Sequence, residues 1–208
     1  MNHQLIFNLH SDWHIGSGEQ GGSYADALAI KCPQGLPYIP GKSVKGLLRE
    51  AFRVAAIHHW FDTQDNKELG EHLLHCLFGH EGTQAEFSQG ALQLTNATLS
   101  AQEQCAIRQQ PEFRQHLFRV INSTAIGQYG VAKNGSLRAM EVAVPMTLGA
   151  QIALNRQHGN YQRLLALLDN EQAIWTSLEK TLVLIQNLGA KRQRGFGEVS
   201  VSLTPEGV

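Results

Sequence analysis

Hydrophobic residues near the start of the chain recur at every second position. Leu5, Phe7 and Leu9 follow this period within residues 3–10. A period of two predicts a half-buried first strand, because successive side chains of a strand point to opposite faces. Residues 11–24 carry four glycines and predict a loop. Residues 27–31 predict a short second strand.

The period changes to three and four after Gly41, where an amphipathic helix is predicted. Pro37 and Pro40 fix an extended entry into it. One face of this helix is apolar, and its members are Val44, Leu47, Leu48, Ala51, Phe52 and Ala55. Another face carries a basic stripe of Lys42, Lys45, Arg49 and Arg53, which indicates either a solvated surface or a binding surface.

The rest of the chain mixes both periods. Helices are predicted at 67–78, at 102–115 with a break near Pro111, and at 161–188, closed by Gly189. Strands are predicted at 90–99, within 118–154 and at 195–203, and the Asn134-Gly135 pair is typical of a hairpin turn. This order favours an α+β, ferredoxin-like fold with insertions.

The composition predicts one domain in a reducing compartment. The chain has 208 residues, of which 42% are hydrophobic, and three widely spaced cysteines without a disulfide pattern. We find no signal-peptide pattern and no apolar run of membrane-spanning length, so a cytoplasmic protein without a membrane partner is expected. The net charge of −1 means that any site for a polyanion must be local.

The start of the predicted helix favours anion binding but not a nucleotide-hydrolysing P-loop. Helix N-termini attract phosphate, and Lys42, Ser43 and Lys45 add charge and a hydroxyl there. Five residues separate Gly35 from Gly41, two of them prolines without an N–H donor. A Walker A loop has four residues between its glycines, so the spacing does not favour an NTPase.

A second basic segment lies near the end of the chain. Lys191, Arg192 and Arg194 stand between Gly189 and Gly195 in a predicted turn. Cationic side chains and backbone N–H groups can converge on a phosphate in such a turn. An ordinary solvated turn is the alternative interpretation.

Several motifs together resemble one protein family. SDWHIGSG, PYIPGKSVKGLLRE, HCLFG, GVAKNGSLRAMEV and GAKRQRGFGEV occur in this order along nearly the whole chain. They resemble the RAMP superfamily of CRISPR-associated proteins, and most closely the backbone subunits of type III effector complexes.

The resemblance implies a single RAMP domain over residues 1–208. Its fold would be a modified RNA-recognition fold with an inserted segment at about 60–117 and a β-hairpin thumb at about 120–140. It implies as partners a guide RNA, a single-stranded target RNA, other effector subunits and further copies of the chain. The thumb would interrupt the pairing of guide and target at regular intervals.

The resemblance also implies an endoribonuclease. In several members an aspartate of the glycine-rich loop cleaves target RNA with a divalent metal, expected to be Mg²⁺. By position this residue is Asp26, eleven residues before Pro37. A carboxylate suits this chemistry because a 2′-OH must lose a proton to attack the neighbouring phosphorus.

Other interpretations of these residues stay open. Asp26 could instead cap a turn, in which case the subunit would be catalytically silent. Asp12 is expected to end the first strand in an Asx turn, and His14 to be packed or at the surface. A guide-processing endoribonuclease using His14 without metal is a further alternative.

The expected RNA contacts come from three segments. The first two contribute Lys42, Ser43, Lys45, Arg49, Lys191, Arg192 and Arg194. In the thumb, many members carry an Asp-Arg pair where Gly127 and Gln128 stand here, and Lys133 and Arg138 could substitute for that arginine.

A structural zinc site is a separate hypothesis. His72, His75 and Cys76 share one helical face where some relatives have zinc-binding cysteines. A complete tetrahedral set is not evident, and partly buried helix residues are the alternative.

Overall fold

The computed structural model describes residues 3–80 and 88–205. Its strands are β1 (His3–Leu9), β2 (Gly79–His80), β3 (Ser88–Gln89), β4 (Leu92–Leu94), β5 (Phe118–Ser123), β6 (Arg138–Ala143), β7 (Thr147–Leu154) and β8 (Val199–Pro205). Its α-helices are α1 (Gly41–Ile57), α2 (Leu69–Phe78), α3 (Ala101–Gln109), α4 (Gly159–Leu168) and α5 (Glu171–Thr181). Short 3-10 helices span Pro111–Leu117, Leu182–Leu184 and Arg192–Arg194. The α+β prediction is confirmed.

Four strands form the central antiparallel sheet in the order β4-β7-β1-β8. Leu5 of β1 pairs with Ala150 of β7 and with Leu203 of β8. The two-residue period predicted this strand correctly, because Leu5, Phe7 and Leu9 are all buried. Helices α1 and α5 contribute Phe52 and Trp175 to the same hydrophobic core.

A two-stranded antiparallel ribbon, formed by β5 and β6, lies outside this sheet. Ile121 pairs with Met140 at its middle. A turn does occur at Asn134-Gly135, where the Ser136 N–H donates to the Lys133 carbonyl at 3.2 Å. It does not join the two strands directly, since residues 124–137 connect them.

Two predicted elements are shorter or more broken than expected. Residues 27–31 form isolated bridges instead of a strand, because Ala27 pairs with Met140, Ala29 with Gly16 and Lys31 with Pro37. Three different partners cannot continue one ladder. The strand predicted at 90–99 is regular only over β4.

The long helix predicted at 161–188 is two helices. The chain leaves α4 at Asp169, where φ is 64°, and the Asn170 side chain caps α5 by accepting the Ala173 N–H at 2.8 Å. Gly189 is therefore not a helix C′ residue. The final strand begins at Val199, later than predicted. Among the described residues, no helix combines the length and apolar character needed to span a bilayer.

Gly189 and Gly197 permit close backbone contact between the loop after β1 and the segment before β8. The Ala190 N–H donates to the His14 carbonyl at 2.8 Å, and the Gly197 N–H donates to the Asp12 carbonyl at 2.7 Å. A Cβ on Gly189 would overlap the His14 carbonyl oxygen, and a Cβ on Gly197 would overlap that of Leu188. Both glycines also have positive φ, so the backbone conformation and the close contact each favour glycine at these positions.

Glu171 at the start of α5 joins three side chains. Arg156 Nη2 lies 2.9 Å from its carboxylate, and the Tyr161 hydroxyl and Trp175 Nε1 donate to it at 2.7 and 3.4 Å. Burial raises the pKa of Glu171, but the hydrogen bonds from Arg156, Tyr161 and Trp175 outweigh burial and lower it to about 2.

We expect Gly189→Ala to destabilise the protein more than Gly195→Ala. Both glycines have positive φ, which costs an alanine about 1–2 kcal/mol, but a Cβ on Gly195 would meet open space. Gly189→Ala must in addition displace the His14 backbone, a further loss of about 2 kcal/mol. Urea unfolding of both variants measures the difference, and equal losses would contradict the close contact.

The Glu171 cluster should stabilise the protein least in acid. A lowered folded-state pKa contributes stability that is complete above the usual value of 4.5 and is lost as pH falls towards about 2. We expect Glu171→Gln to flatten the fall in the free energy of unfolding over this range. Urea unfolding at a series of pH values tests this. An equal fall in the free energy of unfolding of the two proteins over this pH range would refute it.

Candidate nucleic-acid interface

The first N–H groups of α1 already have partners within the protein. The Gly41 N–H donates to Asn96 Oδ1 at 2.8 Å. The N–H groups of Ser43 and Val44 both donate to the Pro40 carbonyl, at 2.8 and 3.0 Å. Anion recognition at this helix start therefore depends more on side chains than on free backbone donors.

A groove of about 700 Å³ separates α1 from residues 184–192. Ser43 lies on its α1 wall and Arg192 on the opposite wall. The two basic motifs of the sequence thus meet in space, although they are far apart along the chain. Glu50 also lines the groove, and its carboxylate is held by Arg53 through bonds of 2.6 and 2.9 Å.

Lys45 and Arg49 line a different cleft, of about 340 Å³, on the other side of α1. His80, Asn155 and His158 lie in the same cleft. Burial, followed by the charge of Arg49, lowers the pKa of Lys45. The single basic stripe expected on α1 is therefore divided: Lys45 and Arg49 line this cleft, Arg53 pairs with Glu50, and Lys42 is exposed at the helix start.

The second basic motif forms a 3-10 turn at Arg192–Arg194. Lys191 before it and Gly195 after it both have left-handed backbone conformations, with φ of 56° and 79°. Arg192 and Arg194 are exposed. Within the described ranges no carboxylate forms an ion pair with these three cations, so their charge faces solvent.

His14 lies at the groove but is only 5% exposed. Its Nδ1 donates to the Glu141 carbonyl at 2.6 Å, which fixes the tautomer of the neutral ring. This burial agrees with the expected packed histidine. Asp12 differs from the expected Asx turn, because it is buried and its Oδ2 binds the Arg119 guanidinium of β5.

Asp26 lies against the ribbon and not in the groove. Its backbone N–H donates to the Ala139 carbonyl at 2.8 Å, and its Oδ2 accepts the Ala139 N–H at 2.7 Å. The side chain is exposed. Arg138 is the neighbouring ribbon residue, and its guanidinium donates to the carbonyl of Leu137, the residue before β6, at 3.0 Å.

The connection between β5 and β6 is exposed and rich in apolar side chains. Tyr129 is 89% exposed, and Ile126, Val131 and Leu137 are also at the surface. Lys133 is exposed between them. A cluster of this kind is typical of a surface that contacts another molecule.

Sequence reasoning missed two ion pairs in which the carboxylate is buried. Asp12 pairs with Arg119, and Glu141 pairs with Lys31 at 2.7 Å. The available signal was a glutamate inside the apolar run MEVAV, since a charge is rarely buried without a partner.

The zinc hypothesis stays a prediction. His72 is exposed, the rings of His75 and His80 lie 4.7 Å apart, and Cys76 is buried, which raises the pKa of its thiol. In residues 3–80 and 88–205, no three His, Cys, Asp or Glu side chains converge on a possible metal position.

Comparisons with known proteins agree with this architecture. A chain of type III-B Cmr-beta bound to cognate target RNA superposes with a TM-score of 0.65 at 10% identity, covering 98% of this chain and 97% of that chain. A chain of apo type III-B Cmr-beta gives 0.62 at 9% identity, with coverage of 99% and 98%. No match was found among curated proteins. The family model of the RAMP superfamily matches residues 6–200, and the chain therefore belongs to the RAMP superfamily.

Proposed function

We propose that this chain is a guide-RNA-binding backbone subunit of a type III CRISPR effector complex, and that it cleaves bound target RNA at Asp26. The observation that carries the RNA-binding part is the groove, which brings Ser43 and Arg192 together from separate motifs. A hydroxyl and an unpaired guanidinium are suitable donors for phosphate oxygens. The similar fold of type III-B Cmr-beta bound to cognate target RNA supports the same class of partners.

The strand order supports a ferredoxin-like RNA-recognition fold. Along the chain, the four sheet strands come in the order β1, β4, β7 and β8. Helix α1 lies between β1 and β4, and the α4–α5 pair lies between β7 and β8. In space the first strand lies between the third and the fourth. A β-α-β-β-α-β order of this kind belongs to the ferredoxin-like class.

The ribbon is the proposed thumb. Its base is held by the Asp12–Arg119 pair, and its far end presents Tyr129 and Ile126 to solvent. Exposed aromatic and aliphatic side chains can stack on or separate bases of a nucleic acid. Lys133 and Arg138 supply positive charge on the same element.

The guide strand is proposed to cross α1 near its start. Arg192 and Ser43 lie on one side of the helix, and Lys45 and Arg49 lie in the cleft on the other. The exposed Lys42 belongs to the first turn of the same helix. An RNA strand that crosses the helix can contact the residues on both sides, whereas a strand confined to the groove would contact only Ser43 and Arg192.

Asp26 is the proposed base for cleavage. Its Oδ2 is held by the Ala139 N–H, so the exposed carboxylate has a defined direction beside the ribbon. In the proposed reaction, the carboxylate accepts the 2′-OH proton, the 2′-oxygen attacks the neighbouring phosphorus, and the bond to the leaving 5′-oxygen breaks. Water returns a proton to that oxygen. The products are a 2′,3′-cyclic phosphate and a 5′-hydroxyl.

A divalent metal fits this site only together with RNA. The described residues contain no cluster of three ligands, but Mg²⁺ commonly binds one carboxylate, phosphate oxygens and water. Asp26 is the residue that would hold it. When bound, Mg²⁺ would supply positive charge to the oxygens that become negative during cleavage.

Arg192→Ala should weaken guide binding by about five- to tenfold at about 0.1 M salt, because one phosphate contact is lost. The slope of log affinity against log salt should become shallower by about 0.7, the value for one phosphate of a single strand. Filter binding at several salt concentrations measures both. Lys180→Ala on α5 is the matched control, since it removes an exposed charge away from the groove. Equal effects of the two variants would exclude the groove as the guide site.

Asp26→Asn should reduce target cleavage in the assembled complex by about 10²–10⁴-fold, because the amide keeps an acceptor for Ala139 but cannot take the proton. Target affinity should not change, and EDTA should stop cleavage by the unaltered complex. Product analysis after a single turnover measures the rate. Unchanged cleavage would identify a catalytically silent subunit, and repeat-RNA cleavage by the isolated chain in EDTA would favour guide processing.

A further inference from the structure

Glu141 is a charged residue in a place that normally holds an apolar one. It lies on β6 between Met140 and Val142, and it is only 2% exposed. A buried carboxylate is unfavourable unless its oxygens are matched by donors. Its partners therefore indicate what the residue does.

Within the described part of the chain, the hydrogen-bond partners of the Glu141 carboxylate lie in residues 24–31, which include Asp26. Oε2 accepts the Ala29 N–H at 3.1 Å, and Oε1 accepts Lys31 Nζ at 2.7 Å. Burial, followed by the charge of this carboxylate, raises the pKa of Tyr24. The carboxylate thus holds the segment that follows Asp26, at Ala29 and Lys31.

The Glu141 backbone contacts the same region. Its N–H donates to the Ala27 carbonyl at 2.9 Å. Its carbonyl accepts His14 Nδ1 at 2.6 Å. Glu141 therefore connects β6, the Asp26 segment and the histidine at the groove.

Asp26 itself is bonded to Ala139, two positions before Glu141. Two bonds of 2.8 and 2.7 Å join these residues, one through the Asp26 backbone and one through its carboxylate. If the Asp26 segment shifts along β6, the carboxylate loses its direction. The Glu141 contacts oppose that shift from the other end of the segment.

We propose that Glu141 is a positioning residue for Asp26: it holds residues 24–31 against β6, so that the Asp26 carboxylate keeps a fixed position beside the ribbon. This inference rests on the proposed cleavage function. A carboxylate is needed because Ala29 and Lys31 donate to its two oxygens. A glutamine side chain has only one acceptor oxygen, so its amide N–H₂ group would face either the Ala29 N–H or the Lys31 ammonium.

Glu141→Gln tests the inference in the complex assembled with guide RNA and partner subunits. We expect the single-turnover cleavage rate at saturating target to fall by about 10- to 100-fold, since small displacements of a reacting group cost this much. Target affinity should stay within about twofold. Amide hydrogen exchange in residues 24–31 should become faster, because the Ala29 N–H loses a charged acceptor.

Glu171→Gln is the matched control. It also removes the carboxylate of a partly buried ion pair, with Arg156, and it should lower stability. It should leave the cleavage rate and the exchange of residues 24–31 unchanged. A loss of cleavage in both variants would show a general effect of instability and would overturn the positioning role.

A second substitution gives a rescue test. Lys31→Met in the Glu141→Gln background removes the unpaired ammonium, and we expect it to restore slow exchange in residues 24–31 and part of the cleavage rate. No recovery of either would contradict the pairing argument.

The exchange measurement separates this inference from the proposed function. If Asp26→Asn and the unaltered complex cleave equally, the cleavage function fails, yet faster exchange in Glu141→Gln still supports the positioning contact. Unchanged exchange overturns the positioning role even where Asp26 proves catalytic.

Discussion

The bond between the Ala190 N–H and the His14 carbonyl joins the loop after β1 to the segment before β8 at a distance that only glycine allows. Gly189 has no Cβ to meet the His14 carbonyl, and Gly197 makes a similar approach to Leu188. These contacts hold the segment that carries Arg192 against the loop after β1. His14 of that loop and Arg192 both line the groove beside α1.

Ion pairing then decides which cations can meet an RNA. Arg53 is paired with Glu50, and Arg119 is paired with the buried Asp12, so neither is free to bind a phosphate. Arg192 has no such partner in the described part of the chain. A protein of net charge −1 can therefore present positive charge locally, because its carboxylates pair with Arg53 and Arg119 while Arg192 lies at the groove.

Periodicity predicted the elements whose patterns come from one buried face. β1 and α1 were located almost to the residue, since Leu5, Phe7 and the apolar face of α1 are set by burial alone. The break between α4 and α5 was missed, because Asp169 and Asn170 interrupt a leucine-rich run without a proline or glycine. Turn residues of this kind stop a helix only when tertiary contacts favour the turn.

The site was predicted motif by motif, but not in its geometry. The sequence proposed Ser43 and Arg192 as candidate phosphate ligands without indicating that they line one groove, since that depends on contacts between distant segments. It placed Lys45 on the same stripe as Lys42, whereas the packing of α1 against its neighbours gives Lys45 a separate cleft. The role of Glu141 could be inferred only from the structure, because the sequence does not show which residues pair with a single charge in a strand.

The separation of Asp26 from the groove has a consequence for how one subunit could handle two RNA strands. A base that lined the groove would act on the strand that the groove holds, and a complex that cleaved its own guide would lose its specificity. Asp26 instead lies on the ribbon side, bonded to Ala139. If the groove holds the guide and the ribbon is the thumb that we propose, the carboxylate faces the target strand where the thumb interrupts its pairing. Cleavage is then directed by where the ribbon enters the duplex and not by the sequence of the target, which is the behaviour that a guide-programmed complex requires.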